Sequence, residues 1–490
     1  MQMLEWLNQY FFGVLVPVIL LAVGAFYWAK LRFFLPRRIG AIVRALHSER
    51  KERRGQGASS FRALMLALAG TLGVGNIVGV SAAIALGGFG SVFWLWVSAT
   101  FAMILKYAEV VLGMRHRRYG EDGKPYGGAP YYIRDIFRAG GFPRLGVVLG
   151  GMFALLCALN AVAMGGMIQA NAVAEAVEGM AGISPIIVGG ALSVLGFFVM
   201  RKGSEGAARV TEVLVPLMTV VYVVLSMAVL ILRADAIPSA FAEIFEGAFT
   251  PEAGVGGVGG FLLSRGVRFG TMRGLISNEA GCGTAPTAHA TSEERSAAKQ
   301  GMLGIVEVFV DTHILCTMTA LVVIVSWGEI VASKGSAGNF LSMTLSAYST
   351  VLGKPAEIFM GIAVALFGFA TILCWGHYGK ESIRYLSAKR WAEKSFLICY
   401  LAAVMIGACA AAELVWGLAD FAIGAMTLVN ALVLILASKE VGEETDAWLT
   451  PHRKSFRPPF SKGGTSPAPC GAGRPSQRAK SPILPKRPKG

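Results

Sequence analysis

Charge is what this chain has least of. Only 15% of its 490 residues are Asp, Glu, Lys or Arg, against about 25% in an ordinary soluble domain. Without dense charge there is no disordered chain. Cysteine is also sparse. Six of the seven (Cys157, Cys282, Cys316, Cys374, Cys399 and Cys409) lie in or beside apolar segments, and Cys470 sits in the tail. A thiol in such surroundings acts as a small hydrophobe. The spacing gives no metal set, disulfide framework or redox pair, and no resident cofactor or metal is expected. The nucleophile motif GxSxG and the zinc motif HExxH are missing too, which weakens a membrane-embedded enzyme as a rival reading.

What is abundant is apolar: 54% of residues are hydrophobic and the mean hydropathy is +0.58. Each membrane span needs about 20 apolar residues. The runs predict an all-α polytopic membrane protein with about 11 transmembrane helices. An N-terminal helix covers 11–31. Five more lie near 61–86, 89–113, 146–176, 184–200 and 210–232, and a second five near 257–289, 301–327, 356–379, 394–412 and 414–438. The organisation follows: residues 1–60 form the first helix and a basic loop, 61–438 a membrane-spanning core in two halves (61–232 and 257–438), and 439–490 a Pro-, Gly- and Lys/Arg-rich tail expected to be disordered. Residues 1–10 carry Glu5 and no Lys or Arg, unlike a signal peptide.

The net charge of +15 would suit nucleic acid if it were clustered on a soluble face. Instead, 38 of the 45 Lys and Arg fall in alternate loops between the runs. That asymmetry excludes a nucleic-acid role. It predicts a cell-membrane protein with its N-terminus outside and its C-terminus in the cytoplasm.

Two spans are interrupted. The first reads Gly70-Thr71-Leu72-Gly73-Val74-Gly75-Asn76-Ile77-Val78-Gly79. Four glycines in ten residues weaken a helix by about 1 kcal/mol each relative to Ala. Close packing of small residues is the plainer explanation, but Thr71 and Asn76 favour an unwound site. Five spans later comes Ser277-Asn278-Glu279-Ala280-Gly281-Cys282-Gly283-Thr284-Ala285-Pro286. Glu279 inside a span needs a partner or a water-lined cavity. Interrupted helices at matching positions of two halves point to a secondary transporter. A break exposes N–H groups at one end and C=O groups at the other. The N–H end suits a carboxylate; the carbonyl end suits Na⁺ or an ammonium. With no Arg or Lys in the first break, backbone N–H groups from Gly73 to Asn76 are expected to hold the carboxylate. Glycine there would let the main chain approach in unusual φ/ψ space.

The first stretch followed by Gly90-Ser91-Val92-Phe93-Trp94-Leu95-Trp96, and the Ser277–Pro286 stretch, resemble the signature of the sodium:alanine (alanine or glycine:cation) symporters. Lys106-Tyr107-Ala108-Glu109, Gln169-Ala170-Asn171, Asp311-Thr312 and Trp375-Gly376-His377-Tyr378-Gly379 fit the same pattern. The resemblance spans about residues 10–440. It implies the five-plus-five inverted repeat of the leucine transporter type and Na⁺- or H⁺-coupled uptake of alanine or glycine. Cys282, His313 and the run His377-Tyr378-Gly379-Lys380 depart from the family pattern.

The candidate substrate residues are Thr71, Gly73, Gly75, Asn76, Gln169, Ile276, Ser277, Asn278, Gly281 and Trp375. The candidate cation residues are Thr71, Val74, Asp311 and Thr371. Gln169 is expected to line the pocket, with interhelical hydrogen bonding as its alternative, as for Asn171 and Asn160. Asp311, near mid-membrane, is a candidate Na⁺ ligand or proton carrier, or else a buried partner for Lys106, His313 or a backbone amide. Thr371 reaches Na⁺ or back-bonds to its own helix. Trp375 caps the pocket or anchors at the interface. Lys106 and Glu109, three apart on one helix, are expected to pair structurally. The expected partners are a small neutral amino acid, Na⁺ (or H⁺) and the lipid bilayer. The oligomeric state and the choice among amino acids are left open.

Overall fold

The computed structural model describes residues 12–32, 40, 59–249, 265–332, 340–410 and 412–449. The first ten residues, the tail beyond 449 and the opening of the span expected at 257–289 lie outside the described residues.

The described residues are helical almost throughout. In order, the helices are α1 (Gly13–Lys30), α2 (Ser60–Thr71), α3 (Val80–Gly87), α4 (Ser91–Arg115), α5 (Ala129–Ala139), α6 (Pro143–Asn160), α7 (Gln169–Ala181), α8 (Pro185–Met200), α9 (Ser204–Leu232) and α10 (Ile237–Ala248). There follow α11 (Arg265–Asn278), α12 (Ala285–His289), α13 (Ala297–Val308), α14 (Thr317–Val325), α15 (Trp327–Ala332), α16 (Phe340–Leu352), α17 (Lys354–Leu386), α18 (Arg390–Gly407), α19 (Ala412–Leu436) and α20 (Ser438–Leu449). A two-stranded hairpin, β1 (Arg118–Tyr119) and β2 (Pro125–Tyr126), follows α4.

Local sequence sets the boundaries. Proline stands in the first turn of α6, α8, α12 and α17, where its missing N–H costs nothing. Ser59 and Ser296 cap α2 and α13 by accepting the Arg62 and Lys299 N–H groups. Gly182, left-handed at φ +66°, ends α7.

Among the described residues, seven helical stretches are long and apolar enough to cross a membrane, and α2 with α3, bent by 49°, makes an eighth. α6 and α7 count as one stretch joined by a π-helical segment (Ala161–Ile168), as do α13 and α14 through Phe309–Cys316. The remaining expected spans are occupied by α8, only 16 residues long, by α11 and α12 around the second break, and by α18, which opens on Arg390, Glu393 and Lys394. α4 packs against α11, α13 and α1, and α17 packs against α7, α6 and α9. The two interrupted spans therefore meet at the centre, between α4 on one side and α17 on the other.

Candidate functional site

α2 stops at Thr71. The chain passes through Leu72, Gly73 and Val74 and resumes in a single π-turn, Gly75–Gly79. The exposed groups of this break are met by two side chains from elsewhere. The Val74 N–H, which would close a helical bond to Gly70, donates to Gln169 Oε1 at 3.0 Å. The Ala69 carbonyl accepts from Thr371 Oγ1 at 2.8 Å. Gln169 is held from behind, its amide donating to the Met164 carbonyl at 3.2 Å. Gly73 N–H donates to the Thr71 carbonyl and Asn76 N–H to the Gly73 carbonyl. Of the N–H groups from Gly73 to Asn76, that leaves Gly75 for a ligand.

The two central glycines differ. A Cβ at Gly73 would stand 2.8 Å from Thr371 Oγ1 and 3.2 Å from Gln169 Oε1, whereas a Cβ at Gly75 would meet only the Ser277 backbone, at 4.0 Å. Neither has positive φ. The expectation of unusual φ/ψ in the first break is corrected: glycine is needed there for close approach at Gly73, whereas at Gly75 an added methyl would make only ordinary contact with Ser277.

Both breaks converge on one carboxylate. Asp311, fully buried in the π-helical segment after α13, accepts from Asn76 Nδ2 at 2.6 Å on Oδ1. On Oδ2 it accepts from Ser277 Oγ at 2.8 Å and Thr312 Oγ1 at 2.7 Å. Asn278 Nδ2 donates to Thr312 Oγ1 at 3.3 Å, and its Oδ1 accepts the Ala280 N–H at 3.0 Å. Asn76 Oδ1 is buried with no protein partner. Asn76 and Ser277, from opposite halves of the sequence, are thus joined through Asp311. Lys106 and His313 are not its partners: His313 stacks on Phe309 and meets Thr100 Oγ1 at 3.2 Å.

Other candidates fall elsewhere. The Thr71 hydroxyl turns back on its own helix, toward the Ala67 and Leu68 carbonyls. The Val74 carbonyl accepts from the Ile77 and Val78 N–H groups; with both lone pairs taken it does not offer a cation ligand here. Thr371 Oγ1 also lies 3.0 Å from the Phe367 carbonyl, the expected back-bond to its own helix. Ile276 is buried beside Ser277. Gly281, left-handed at φ +87°, faces Leu20 of α1, and its carbonyl accepts from Asn430; it stands behind the second break and not at Asp311. Trp375 is fully buried and donates Nε1–H to Glu279 Oε1 at 2.9 Å, which overturns the interfacial-anchor alternative. The Asn171 amide bonds the Ala410 carbonyl at 2.9 Å, an interhelical tie.

The expected Lys106–Glu109 pair does not form. Lys106 Nζ lies 3.1 Å from Glu307 Oε1, because the next spans bring a better-placed carboxylate to it. Glu307, overlooked in sequence because nothing marks it beside Asp311, also meets His289 Nε2 at 3.1 Å.

The sodium:alanine symporter family matches residues 1–462. The sodium/alanine symporter AgcS of Methanococcus maripaludis is 33% identical over 90% of this chain and 95% of its own length. A Bacillus subtilis protein named "Probable sodium/glutamine symporter GlnT" is 30% identical over 89% of this chain and 87% of its own. Among solved structures, that of MhsT in complex with L-phenylalanine matches with a TM-score of 0.57 at 14% identity, covering 80% of this chain and 93% of that one. At that identity the likeness concerns the fold alone, an all-helical polytopic membrane fold of the leucine transporter type. The chain is a multi-pass membrane transporter, not an enzyme, and belongs to the sodium:alanine symporter family of sodium-coupled amino-acid symporters.

Proposed function

We propose that this protein couples inward Na⁺ flow to uptake of a small neutral amino acid, alanine or glycine. The observation that carries the reading is the meeting of both interrupted helices at Asp311, with Gly75 of the first break across from Ser277 of the second. In this reading the Gly75 N–H takes the carboxylate of a zwitterion, which then needs no charged side chain, and Asp311 takes the ammonium or Na⁺. Thr371, Gln169 and Asp311 serve as positioning groups around it, with Thr371 and Asp311 the Na⁺ candidates. The halves 61–232 and 257–438 are the two repeats, and the N-terminus lies outside the cell membrane.

Radiolabelled alanine uptake into proteoliposomes tests this. An inward Na⁺ gradient should drive accumulation. Thr371→Val should weaken Na⁺ activation several-fold, the scale of one lost hydrogen bond at about 1 kcal/mol. Accumulation driven by a proton gradient alone, with Na⁺ inert, would reject the coupling ion. Glutamine outcompeting alanine would reject the cargo.

A further inference from the structure

The corner between α5 and α6 carries more positive charge than its own acid can match. From Ala129 to Ala161 the sequence holds three cations, Arg134, Arg138 and Arg144, and one acid, Asp135. Asp135 is already shared. His116 Nδ1 stands 3.1 Å and Arg118 Nη2 2.5 Å from its Oδ2, and Arg134 Nε stands 3.6 Å from its Oδ1. Arg138 and Arg144 are exposed and make no ion pair among the described residues. The corner is tight. Phe142 N–H donates to the Phe137 carbonyl at 2.8 Å, and a Cβ at Gly146 would stand 2.8 Å from the Arg134 carbonyl oxygen. The last turn of α5 and the first of α6 are therefore held together, with Phe142 exposed between the two arginines.

An apolar face begins beside Arg144. Leu145, Val148, Met152, Leu155 and Leu159 are exposed and recur at steps of three and four, so they form one stripe along α6. Gly151 cuts a notch in that stripe, since a Cβ there would meet only Leu386, at 3.9 Å. The notch lies two turns along the helix from Arg144, about 10 Å at 1.5 Å per residue. Unmatched cations at the head of an exposed apolar stripe are the complement of a phospholipid. Guanidinium groups pair with phosphate oxygens in a fixed planar geometry. A zwitterionic headgroup brings its own ammonium to the phosphate and leaves the surplus charge of the corner unmatched. An anionic headgroup matches it.

We propose that the α5–α6 corner is a binding site for one anionic phospholipid. Arg138 and Arg144 hold its phosphate, and an acyl chain lies along the α6 stripe through the Gly151 notch. The element steadied by the lipid is α5, which abuts the second break at two points. A Cβ at Gly128, the residue before α5, would stand 2.5 Å from Thr287 Oγ1 of α12. Tyr132 O–H donates to Asn430 Oδ1 at 2.5 Å, and Asn430 Nδ2 donates to the Gly281 carbonyl at 3.0 Å. A lipid seated at the end of α5 thereby restrains the second broken helix. Occupancy of the site does not depend on the cargo.

The test uses the full-length protein purified in detergent. It is titrated with phosphatidylglycerol or with phosphatidylcholine of the same acyl chains, and native mass spectrometry reads the retained lipid. Phosphatidylglycerol should be retained at least about tenfold more tightly. Arg138→Gln combined with Arg144→Gln, at exposed positions, should fold with an unchanged melting temperature and lose that preference. Arg201→Gln combined with Lys202→Gln, the same loss of charge at the α8–α9 corner, should keep it. Amide exchange across residues 129–139, at one pH, should slow several-fold when phosphatidylglycerol is added to the parent and stay unchanged in the first double variant. Inorganic phosphate, which has no chain for the stripe, should not slow it. Equal retention of the two lipids, or equal loss of preference in both double variants, would overturn the proposal. So would slowing by inorganic phosphate alone, or a dimer of the chain that covers this face and that lipid does not displace.

Discussion

At the scale of the residue, the first break works because two long-range side chains finish what the backbone leaves open. Gln169 takes the Val74 N–H and Thr371 fills the Ala69 carbonyl. Gly73 sits in the narrow gap between them. Gly73→Ala would push its methyl into Thr371 Oγ1, and overpacking of this kind costs about 1–3 kcal/mol; a lower melting temperature with weaker Na⁺ activation is expected. Gly75→Val has room to fold, but its branches enter the space facing Ser277. Alanine binding to the purified variant should weaken at least about tenfold, or about 1.4 kcal/mol. Unchanged affinity in folded Gly75→Val would move the substrate away from the first break. Gly190, where an added Cβ would meet nothing within 4 Å, serves as the control. The sequence marks Gly73 and Gly75 alike, as glycines in a break. Only the packing of α17 and the first residue of α7 against Gly73 separates the crowded one from the other.

At the scale of the element, the two interrupted spans act as a pair because Asp311 ties Asn76 to Ser277. Asp311→Asn keeps the volume but removes the anion that three donors share, and the Ser277 and Thr312 hydroxyls must turn to accept from the new amide. Losing a charge-assisted bond costs about 1.5–3 kcal/mol. We expect uptake to fall at least about tenfold while secondary structure by circular dichroism stays unchanged. Parent-like uptake with parent-like Na⁺ dependence would show that Asp311 is a passive buried partner. The broken helices and the long apolar spans were legible in sequence because glycine clusters and hydropathy are local signals. The partners of buried charges were not. Lys106 and Glu109 are three apart and read as a pair, yet their actual partners, Glu307 and Asn430, lie 201 and 321 positions away. The short helices α5, α10 and α16 and the β1–β2 hairpin also escaped, since they are too short or too polar to read as spans.

At the scale of the whole molecule, α20 joins the far end of the chain to the transport core. Val441 is buried, Thr445 Oγ1 meets Tyr107 O–H at 2.8 Å, and Arg115 pairs with Glu440 at 2.5 Å and with Glu444. His116, just past α4, lies between Asp135 Oδ2 at 3.1 Å from Nδ1 and Glu440 Oε1 at 2.9 Å from Nε2. Only the doubly protonated ring donates to both. Burial opposes that charge, but the hydrogen bonds to Asp135 and then Glu440 outweigh it and hold the ring above the ordinary histidine value. Burial likewise opposes ionisation of Asp135 and Glu440, and their basic partners, His116 and Arg118 for the first and His116 and Arg115 for the second, hold both below the usual carboxylate range. The sign follows from linkage. The His116 contribution is complete below the undocked histidine pKa and is lost as pH rises through the docked one. The Glu440 contribution is present above its undocked value and is lost as pH falls through the docked one, while Asp135, whose partners lie outside α20, acts on docking through His116. Docking of α20 is therefore firmest between the carboxylate and histidine transitions. Amide protection factors across residues 438–449, taken relative to the intrinsic exchange rate at each pH, should be greatest in that window and fall on its alkaline side. His116→Ala should lower protection about tenfold within the window, the effect of one charge-assisted bond, and remove the alkaline fall. If the alanine variant keeps the parent's pH profile, the Arg115 pairs alone dock α20, and His116 is not the group that responds to pH.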